Sequence, residues 1–320
     1  MRRLTSNSVR VVNYHRFEPG NIDILERQCR HYRTYYEPIT LDRYVNALYG
    51  KEPWPQNGIV VTVDDGYRDV CTVAAPVFQS YQIPVTVYLI AGFLDRQCWL
   101  WWDLLSYAFT RTSKNSVTLA LPNQPPATIA MDSPGQRLRL ATECSVGIVR
   151  SESEHALAWI HELCAQLAVE IPDEPMEEYA PLTWAEARRM QTMGFTFGSH
   201  TVYHKILGAV RSYDERRFEV FQSKRRIEEQ LETRVDHFCF PNGGIGDFSH
   251  LDIDLVREAG YRSAATTFIG LGDSYTDPFR LARISVNCNT SMEFFRMKVA
   301  GLWRYQGKMN TPMRMQPIDP

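Results

Sequence analysis

The chain has 320 residues, of which 44% are hydrophobic, and its formal net charge is -2. A chain of this length and apolar content can bury one large core or two modest ones. The 35 basic residues nearly balance the 37 acidic ones. No overall field therefore recruits nucleic acid or an anionic membrane, and a small molecule or a neutral polymer is the expected partner.

Short β-branched runs, each followed by a longer stretch with helical spacing, recur along the chain. The strand-like runs are VRVVNY (9–14), GIVVTV (58–63), PVTVYLI (84–90), FTFGS (195–199) and HFCF (237–240). The predicted helices cover residues 22–36, 69–82, 212–231 and 250–259. Repeated strand–helix units predict a parallel sheet, and continuous apolar strands predict burial on both faces. We therefore predict an α/β fold, with a barrel favoured over a doubly wound sheet.

Between residues 97 and 180 this alternation stops. An aromatic cluster (Trp99, Trp101, Trp102) precedes two strand-like runs around a proline-rich turn (122–126) and helical stretches near 135–149 and 154–168. We interpret 97–180 as an insertion into a barrel formed by 1–96 and 181–305, with 306–320 as a C-terminal tail. We expect the tryptophans to pack against the barrel, and a sugar-binding platform over the groove is the alternative.

The cysteines and the N-terminal residues bear on the cellular compartment. The seven cysteines are odd in number and include no Cys-x-x-Cys pair, which favours a reducing compartment over a disulfide scaffold. No apolar run near the N-terminus is long enough for a signal peptide, and the longest apolar stretch, 85–93, is too short to span a bilayer. We expect a cytoplasmic protein without a membrane span.

The densest chemical signal is the pair Asp64-Asp65, which directly follows the strand-like run 58–63. Two adjacent carboxylates at the end of a buried strand are costly unless a cation neutralises them. The alternative is an Asp-Gly turn, in which Asp65 bonds to its own backbone and Gly66 supplies a positive φ. The pair alone does not decide between a cation site and a turn.

The second signal is His200 and His204, which follow another predicted strand. Two histidines four positions apart can bind one metal, although eight histidines make a chance pair plausible. Together with Asp65 they give three ligands and leave one position open for water, while Asp64 is available as a base. A bound divalent metal lowers the pKa of its water from about 15.7 to about 7. The combination predicts a hydrolytic site.

Two further segments end predicted strands. Tyr14-His15 follows the first strand, and Pro241-Asn242-Gly243 follows the strand HFCF as a possible groove wall. A parallel barrel assembles its active site at the ends of its strands, so we expect these segments to meet the carboxylates and histidines. Amide hydrolysis needs an acid for the leaving amine, and His15 is our candidate; a buried structural histidine is the alternative. Tyr14, Pro241, Asn242 and Gly243 are candidate substrate-binding residues.

These segments resemble the polysaccharide deacetylases of carbohydrate esterase family 4, which share the NodB-homology domain. Thr62 to Gly66 is similar to the family's Thr-Phe-Asp-Asp-Gly motif, and His200 to His204 is similar to its His-Ser/Thr-x-x-His motif. The resemblance implies a distorted (β/α)7 barrel in which Asp64 is the base. It also implies that Asp65 and the two histidines bind a divalent metal, zinc first, with cobalt, nickel or manganese as alternatives. The backbone N–H of Tyr67 would help to hold the oxyanion.

The chain departs from the family pattern at two positions. No arginine precedes Pro241, so the group that orients the base must come from elsewhere, and Arg283 is our candidate ahead of Arg280. The usual C-terminal Leu-His is also missing, because no histidine follows His250. However, the segment 13–16 resembles the Tyr-His motif of the biofilm poly-N-acetylglucosamine deacetylases, a circularly permuted branch in which this histidine is the acid. That resemblance implies an acid role for His15.

These features predict a metal-dependent N-deacetylase that acts on an N-acetylhexosamine in a glycan or a glycan precursor. One alternative keeps the fold but changes the substrate to a small or lipid-linked amino sugar or a non-sugar amide. A second is a non-haem iron oxygenase, since two histidines and one carboxylate also match its facial triad; Asp64, which an oxygenase does not need, speaks against it. A catalytically silent glycan-binding module is disfavoured because the expected catalytic positions are filled.

Overall fold

Seven parallel strands close into a barrel in the computed structural model, which describes residues 7–119, 126–148 and 153–302. The strands of the described residues are Arg10–Tyr14 (β1), Glu37–Pro38 (β2), Gly58–Val63 (β3), Val85–Leu89 (β4), Ser116–Leu119 (β5), Ala127–Ala130 (β6), Thr196–Ser199 (β7), His237–Cys239 (β8), Ser263–Ile269 (β9) and Leu281–Ser285 (β10). The barrel order is β1-β10-β9-β8-β7-β4-β3, and pairing of β3 with β1 closes it. The predicted (β/α)7 barrel is confirmed. The short β2 pairs with the start of β3.

Helices surround the barrel and fill the insertion. They are Ile22–Tyr35 (α1), Leu41–Leu48 (α2), Ala75–Ser80 (α3), Ala91–Leu94 (α4), Trp101–Arg111 (α5), Pro134–Ile148 (α6), Ser153–Gln166 (α7), Trp184–Thr192 (α8), Tyr213–Leu231 (α9), His250–Glu258 (α10) and Met292–Val299 (α11), with a π-helical turn at Val70–Ala74 before α3. Short 3-10 turns lie at Pro19–Asn21, Glu177–Tyr179, Leu207–Ala209 and Pro278–Arg280. No helix in the described part of the chain is long and apolar enough to cross a membrane.

Alternate residues of the barrel strands pack into different parts of the core. Val61 and Val63 of β3 belong to a cluster that includes Phe78 of α3. Val60, their neighbour on the opposite face, joins a second cluster with Tyr88 of β4. Every residue of β3 is buried, as expected for a parallel strand covered on both faces. This double burial explains the continuous apolar runs in the sequence.

The strand register brings the predicted site residues to one end of the barrel. Tyr14, the last residue of β1, pairs with Val63, the last of β3. The Asp64 N–H then donates to the Tyr14 carbonyl at 2.9 Å. On the other side, the register pairs Leu89 of β4 with Ser199 of β7. The loops that follow these strands therefore start at one level, as the active-site loops of parallel barrels do.

The region interpreted as an insertion has a hydrophobic cluster of its own. Buried residues from α5, the β5–β6 hairpin, α6 and α7 form it, and Trp99 and Trp101 pack against it. Residues 120–125, which hold most of the predicted proline-rich turn, and the predicted tail 306–320 lie outside the described residues. The domain boundaries remain a prediction.

Candidate active site and metal centre

Three side chains converge at the end of the barrel where β3 and β7 stop. Potential ligand atoms of Asp65, His200 and His204 all lie within 4.8 Å of one another, and all three residues are buried. An Asp65 carboxylate oxygen is 3.7 Å from His200 Nε2 and 3.9 Å from His204 Nε2. One carboxylate and two imidazoles with space between them form the donor set of an open zinc-type site.

Both imidazoles are in the neutral form that a metal requires. His200 Nδ1 lies 2.7 Å from the Cys239 carbonyl, so Nδ1 carries the proton and donates, which leaves the Nε2 lone pair toward Asp65. Burial lowers the pKa of His200 to about 4. Burial, with the neighbouring His200 as a second cause, holds the pKa of His204 well below its usual value. Neither ring is therefore a cation at neutral pH.

No lysine or arginine of the described residues forms an ion pair with Asp65. Burial and the carboxylates of Asp64 and Asp103 raise the pKa of Asp65 well above its usual value, and the opposing effects of Arg16 and Arg283 are smaller. A divalent ion between Asp65 and the two histidines would supply the missing positive charge. The residues present thus fit a divalent metal in both their donor set and their charge.

Asp64, the neighbouring carboxylate, is paired with a buried arginine. Arg283 Nη1 donates to Asp64 Oδ1 at 2.7 Å, and both residues are almost fully buried. Burial raises the pKa of Asp64, but the charge and hydrogen bond of Arg283, together with His15 and His200, outweigh burial and the pKa falls to about 2. Asp64 is therefore an anion at neutral pH. Arg280, the second arginine considered, lies against His250 instead.

Arg283 is fixed by contacts from two other strands. Its Nε donates to the Thr266 carbonyl of β9 at 2.8 Å, and its Nη2 lies 3.2 Å from Cys239 Sγ at the end of β8. Cys239 also forms a possible ligand group with Asp64 and His200. The Arg283 guanidinium contacts both Asp64 Oδ1 and Cys239 Sγ and places a positive charge there, so Asp65, His200 and His204 are the better metal site.

His15 lies beside Oδ2 of Asp64, the carboxylate oxygen that Arg283 does not contact. Its Nε2 is 3.7 Å from Asp64 Oδ2, and 47% of its side chain is exposed. An imidazole that is half open to the pocket can exchange protons with solvent and with a bound substrate. The structure thus brings His15 beside Asp64, while its role as the acid stays a prediction.

Tyr14 does not reach the pocket, and its predicted contact with substrate is wrong. The side chain is fully buried. Its hydroxyl lies 2.8 Å from both Gln28 Oε1 and the Tyr32 hydroxyl of α1. The side chain of Tyr14 points to the helix layer because consecutive residues of a strand face opposite sides, so only His15 can face the site.

The remaining predicted residues shape the pocket wall. Asn242 lines a cavity of about 360 Å³ together with the carboxylates and histidines. Pro241 and Gly243 form the turn that presents Asn242, and Gly243 has φ +65°, where a side chain would meet the Phe240 carbonyl at 3.0 Å. No hydrogen bond among the described residues uses the Tyr67 backbone N–H. That N–H is available to an oxyanion.

A buried carboxylate that the sequence patterns do not predict lies under the histidine loop. Glu219 of α9 is fully buried, and its Oε2 accepts the backbone N–H groups of Val202 and Tyr203 at 2.8 and 2.9 Å. Two neighbours of these amides, Thr201 and His204, have left-handed backbones with φ of 67° and 56°. Glu219 therefore holds the loop that carries both histidines in a conformation that non-glycine residues rarely adopt.

The tryptophans of the insertion divide between packing and the site. Trp99 and Trp101 pack against the insertion cluster, as expected. Trp102 instead lines the cavity, with its ring centroid 4.7 Å from that of His204 at an interplanar angle of 73°. Asp103, the next residue, lines the cavity too. Nothing in the sequence distinguishes Trp102 or Asp103 from the other residues of an amphipathic helix.

A seven-stranded parallel barrel with this cluster at one end has the NodB-type fold. Residues 153–264 match the sequence model of the polysaccharide deacetylase family, a range that includes His200 and His204 but not the Asp64-Asp65 pair. The match covers about a third of the chain, and the fold agrees with it.

Individual proteins are similar to the chain as well. Over 60 residues the chain is 30% identical to the poly-beta-1,6-N-acetyl-D-glucosamine N-deacetylase of Escherichia coli strain K12, a match covering 19% of this chain and 9% of that protein. The Streptococcus pyogenes deacetylase PplD, solved in complex with acetate, aligns with a TM-score of 0.59 at 17% identity, covering 91% of this chain and 98% of PplD. IcaB from Ammonifex degensii aligns with a TM-score of 0.59 at 16% identity, covering 92% and 96%. At these identities the likeness establishes the fold.

Proposed function

We propose that the chain is a metal-dependent N-deacetylase that removes the acetyl group from an N-acetylhexosamine unit of a glycan or glycan precursor. One observation carries the proposal: the metal-ligand group Asp65, His200 and His204 lies beside an ionised Asp64 that does not share in it. A hydrolase needs both a metal site and a separate base, whereas an oxygenase needs only the ligands. The 60-residue similarity to a poly-N-acetylglucosamine deacetylase supports a sugar substrate.

In this mechanism the metal, for which zinc is our first choice, would polarise the acetyl carbonyl and acidify water. Asp64 accepts the proton of the attacking water, and Arg283 keeps that carboxylate ionised and oriented. The free N–H of Tyr67 donates to the oxygen on which negative charge develops. His15, on the open side of Asp64, donates a proton to the leaving amine.

The test combines metal analysis with a substrate screen of the purified protein. Acetate and free amine are measured on N-acetylated monosaccharides and oligosaccharides, and oxygen uptake is measured with iron. Asp64→Asn should abolish acetate release and leave the metal bound, whereas His204→Ala should lose both. Asp254→Asn, on the exposed face of α10, is the matched control and should behave as wild type. Near-normal turnover by Asp64→Asn, or oxygen uptake without acetate release, would contradict the proposal.

A further inference from the structure

A hydrogen-bonded chain of three side chains connects the insertion to the wall of the active site. The Trp102 indole N–H donates to the Tyr67 hydroxyl oxygen at 2.7 Å. An indole N–H can only donate. The single Tyr67 hydroxyl proton is therefore directed to Asp103 Oδ2, also at 2.7 Å. The hydrogen bonds therefore run from Trp102 through Tyr67 to Asp103, whose carboxylate is the final acceptor.

The second oxygen of this carboxylate is unused. Among the described residues, the Asp103 carboxylate has no hydrogen bond or ion pair other than the one from Tyr67. The nearby Arg16 guanidinium lies 3.9 Å above the Tyr67 ring but is committed to Asp69 at 2.6 Å and to the Glu178 carbonyl at 2.6 Å. Asp103 is only 5% exposed, yet it lines the cavity that holds the metal ligands.

The second Asp103 oxygen is not enclosed without a donor, so it is open to the cavity and can accept a hydrogen bond from a ligand there. Trp102 and Asn242 line the same cavity as Asp103. Aromatic surface next to a few polar groups suits a ring with apolar C–H faces and hydroxyl edges. A sugar hydroxyl is a neutral donor that a carboxylate accepts.

We propose that Asp103 accepts a hydrogen bond from a ring hydroxyl of the N-acetylhexosamine that is being deacetylated, and thereby determines which hexosamines the enzyme accepts. This proposal rests on the proposed function. It places a specificity-determining residue in the insertion and not in the barrel. Tyr67 connects the two parts of the site, since its backbone N–H is the proposed oxyanion donor and its hydroxyl donates to Asp103.

The test uses the smallest N-acetylglucosamine oligomer that the zinc-loaded wild-type enzyme hydrolyses, with derivatives that each lack one ring hydroxyl. Burial raises the pKa of Asp103 to about 7, so the assay is run above that pH, where the carboxyl is ionised. Asp103→Ala should then lower kcat/KM about 10- to 150-fold, the range expected for a hydrogen bond to a charged group. The wild-type enzyme should show a similar loss on one derivative only. On that derivative, Asp103→Ala should cause little further loss. Asp132→Ala, on the exposed surface of the same insertion, is the matched control.

Binding provides a readout independent of turnover. In an Asp64→Asn background, adding Asp103→Asn should weaken binding of the oligomer while zinc affinity and melting temperature stay unchanged. This second variant preserves the shape of the side chain and guards against misfolding of Asp103→Ala.

Three outcomes would overturn the proposal. The first is equal losses by Asp103→Ala on every derivative, and the second is unchanged binding by Asp103→Asn. The third is a fall in zinc affinity that parallels the loss of activity, since a purely structural role would produce it. A wild-type enzyme that deacetylates no sugar would instead remove the proposed function, and this proposal with it.

Discussion

Replacing Glu219 by alanine tests whether the buried carboxylate holds the histidine loop in its metal-binding shape. The change removes the acceptor of the Val202 and Tyr203 amides, and hydrogen bonds to a charged group contribute about 1.5–3 kcal/mol each. The left-handed backbones of Thr201 and His204 cost about 1–2 kcal/mol each. Two bonds worth about 3–6 kcal/mol thus offset about 2–4 kcal/mol of backbone strain in the native loop.

Without Glu219 the loop can relax, and zinc binding must then restore the strained conformation. A conformational cost of about 2 kcal/mol weakens binding about 30-fold, since each 1.4 kcal/mol is a factor of about ten. Backbone bonds from Ala91 to the Thr201 carbonyl and from Gly92 to the Val202 carbonyl remain, so the loop should stay folded.

The assay is competition for zinc with a chromogenic chelator, accompanied by thermal unfolding of the metal-free protein. Glu219→Gln keeps an acceptor oxygen and should fall between wild type and Glu219→Ala. Glu229→Ala, on an exposed part of the same helix, should bind zinc as wild type does. Zinc affinity of Glu219→Ala within about threefold of wild type, a difference of about 0.7 kcal/mol, would refute this account of the loop.

Three further changes address the base, the acid and the metal. Arg283→Met leaves Asp64 buried without its cation, a loss of about 3–5 kcal/mol for a broken buried pair; the melting temperature and acetate release should both fall while zinc stays bound, and a wild-type melting curve would contradict this. His15→Ala should slow acetate release by about two to four orders of magnitude at unchanged zinc affinity, and a rate within tenfold of wild type would exclude it as the acid. Removal of metal by a chelator should abolish acetate release until zinc is restored, and zinc at about 100 times its Kd should stabilise the protein by about 2.7 kcal/mol; identical unfolding curves with and without zinc would show that no such site forms.

The barrel was predictable because its strands are buried on both faces and therefore appear as continuous apolar runs. GIVVTV coincides with β3 at Gly58–Val63, and the predicted helix 212–231 coincides with α9 at Tyr213–Leu231 to within one residue. Strand β9, SAATTFI, was missed because its small and hydroxyl-bearing residues do not form a clear apolar run, although its first four residues are buried. The short α2 was missed because eight residues hold barely two turns of helical spacing.

Site residues were predictable where they follow a strand directly, because strand ends of a parallel barrel converge. Asp64, Asp65, His200 and His15 all meet this condition, and the structure brings them together. Glu219 and Asp103 do not meet it: each lies within a helix and reaches the site only through tertiary packing. Their sequence context is that of a helical acidic residue, which is most often solvent-exposed.

The arginine that contacts Asp64 comes from β10 in this chain, and not from the segment before Pro241. In the sheet order β1 lies between β10 and β3, so the side chain of Arg283 reaches past one strand to meet Asp64. Its guanidinium lies against the sulfur of Cys239, in the segment before Pro241 where the polysaccharide deacetylases that the sequence resembles usually have an arginine. A small buried cysteine leaves room for a guanidinium from β10, and two guanidinium groups there would repel each other in a buried space. The lack of an arginine before Pro241 and the presence of Arg283 are therefore linked, because the small Cys239 leaves the space that the Arg283 guanidinium fills. Packing in three dimensions explains this link, and the spacing along the chain does not.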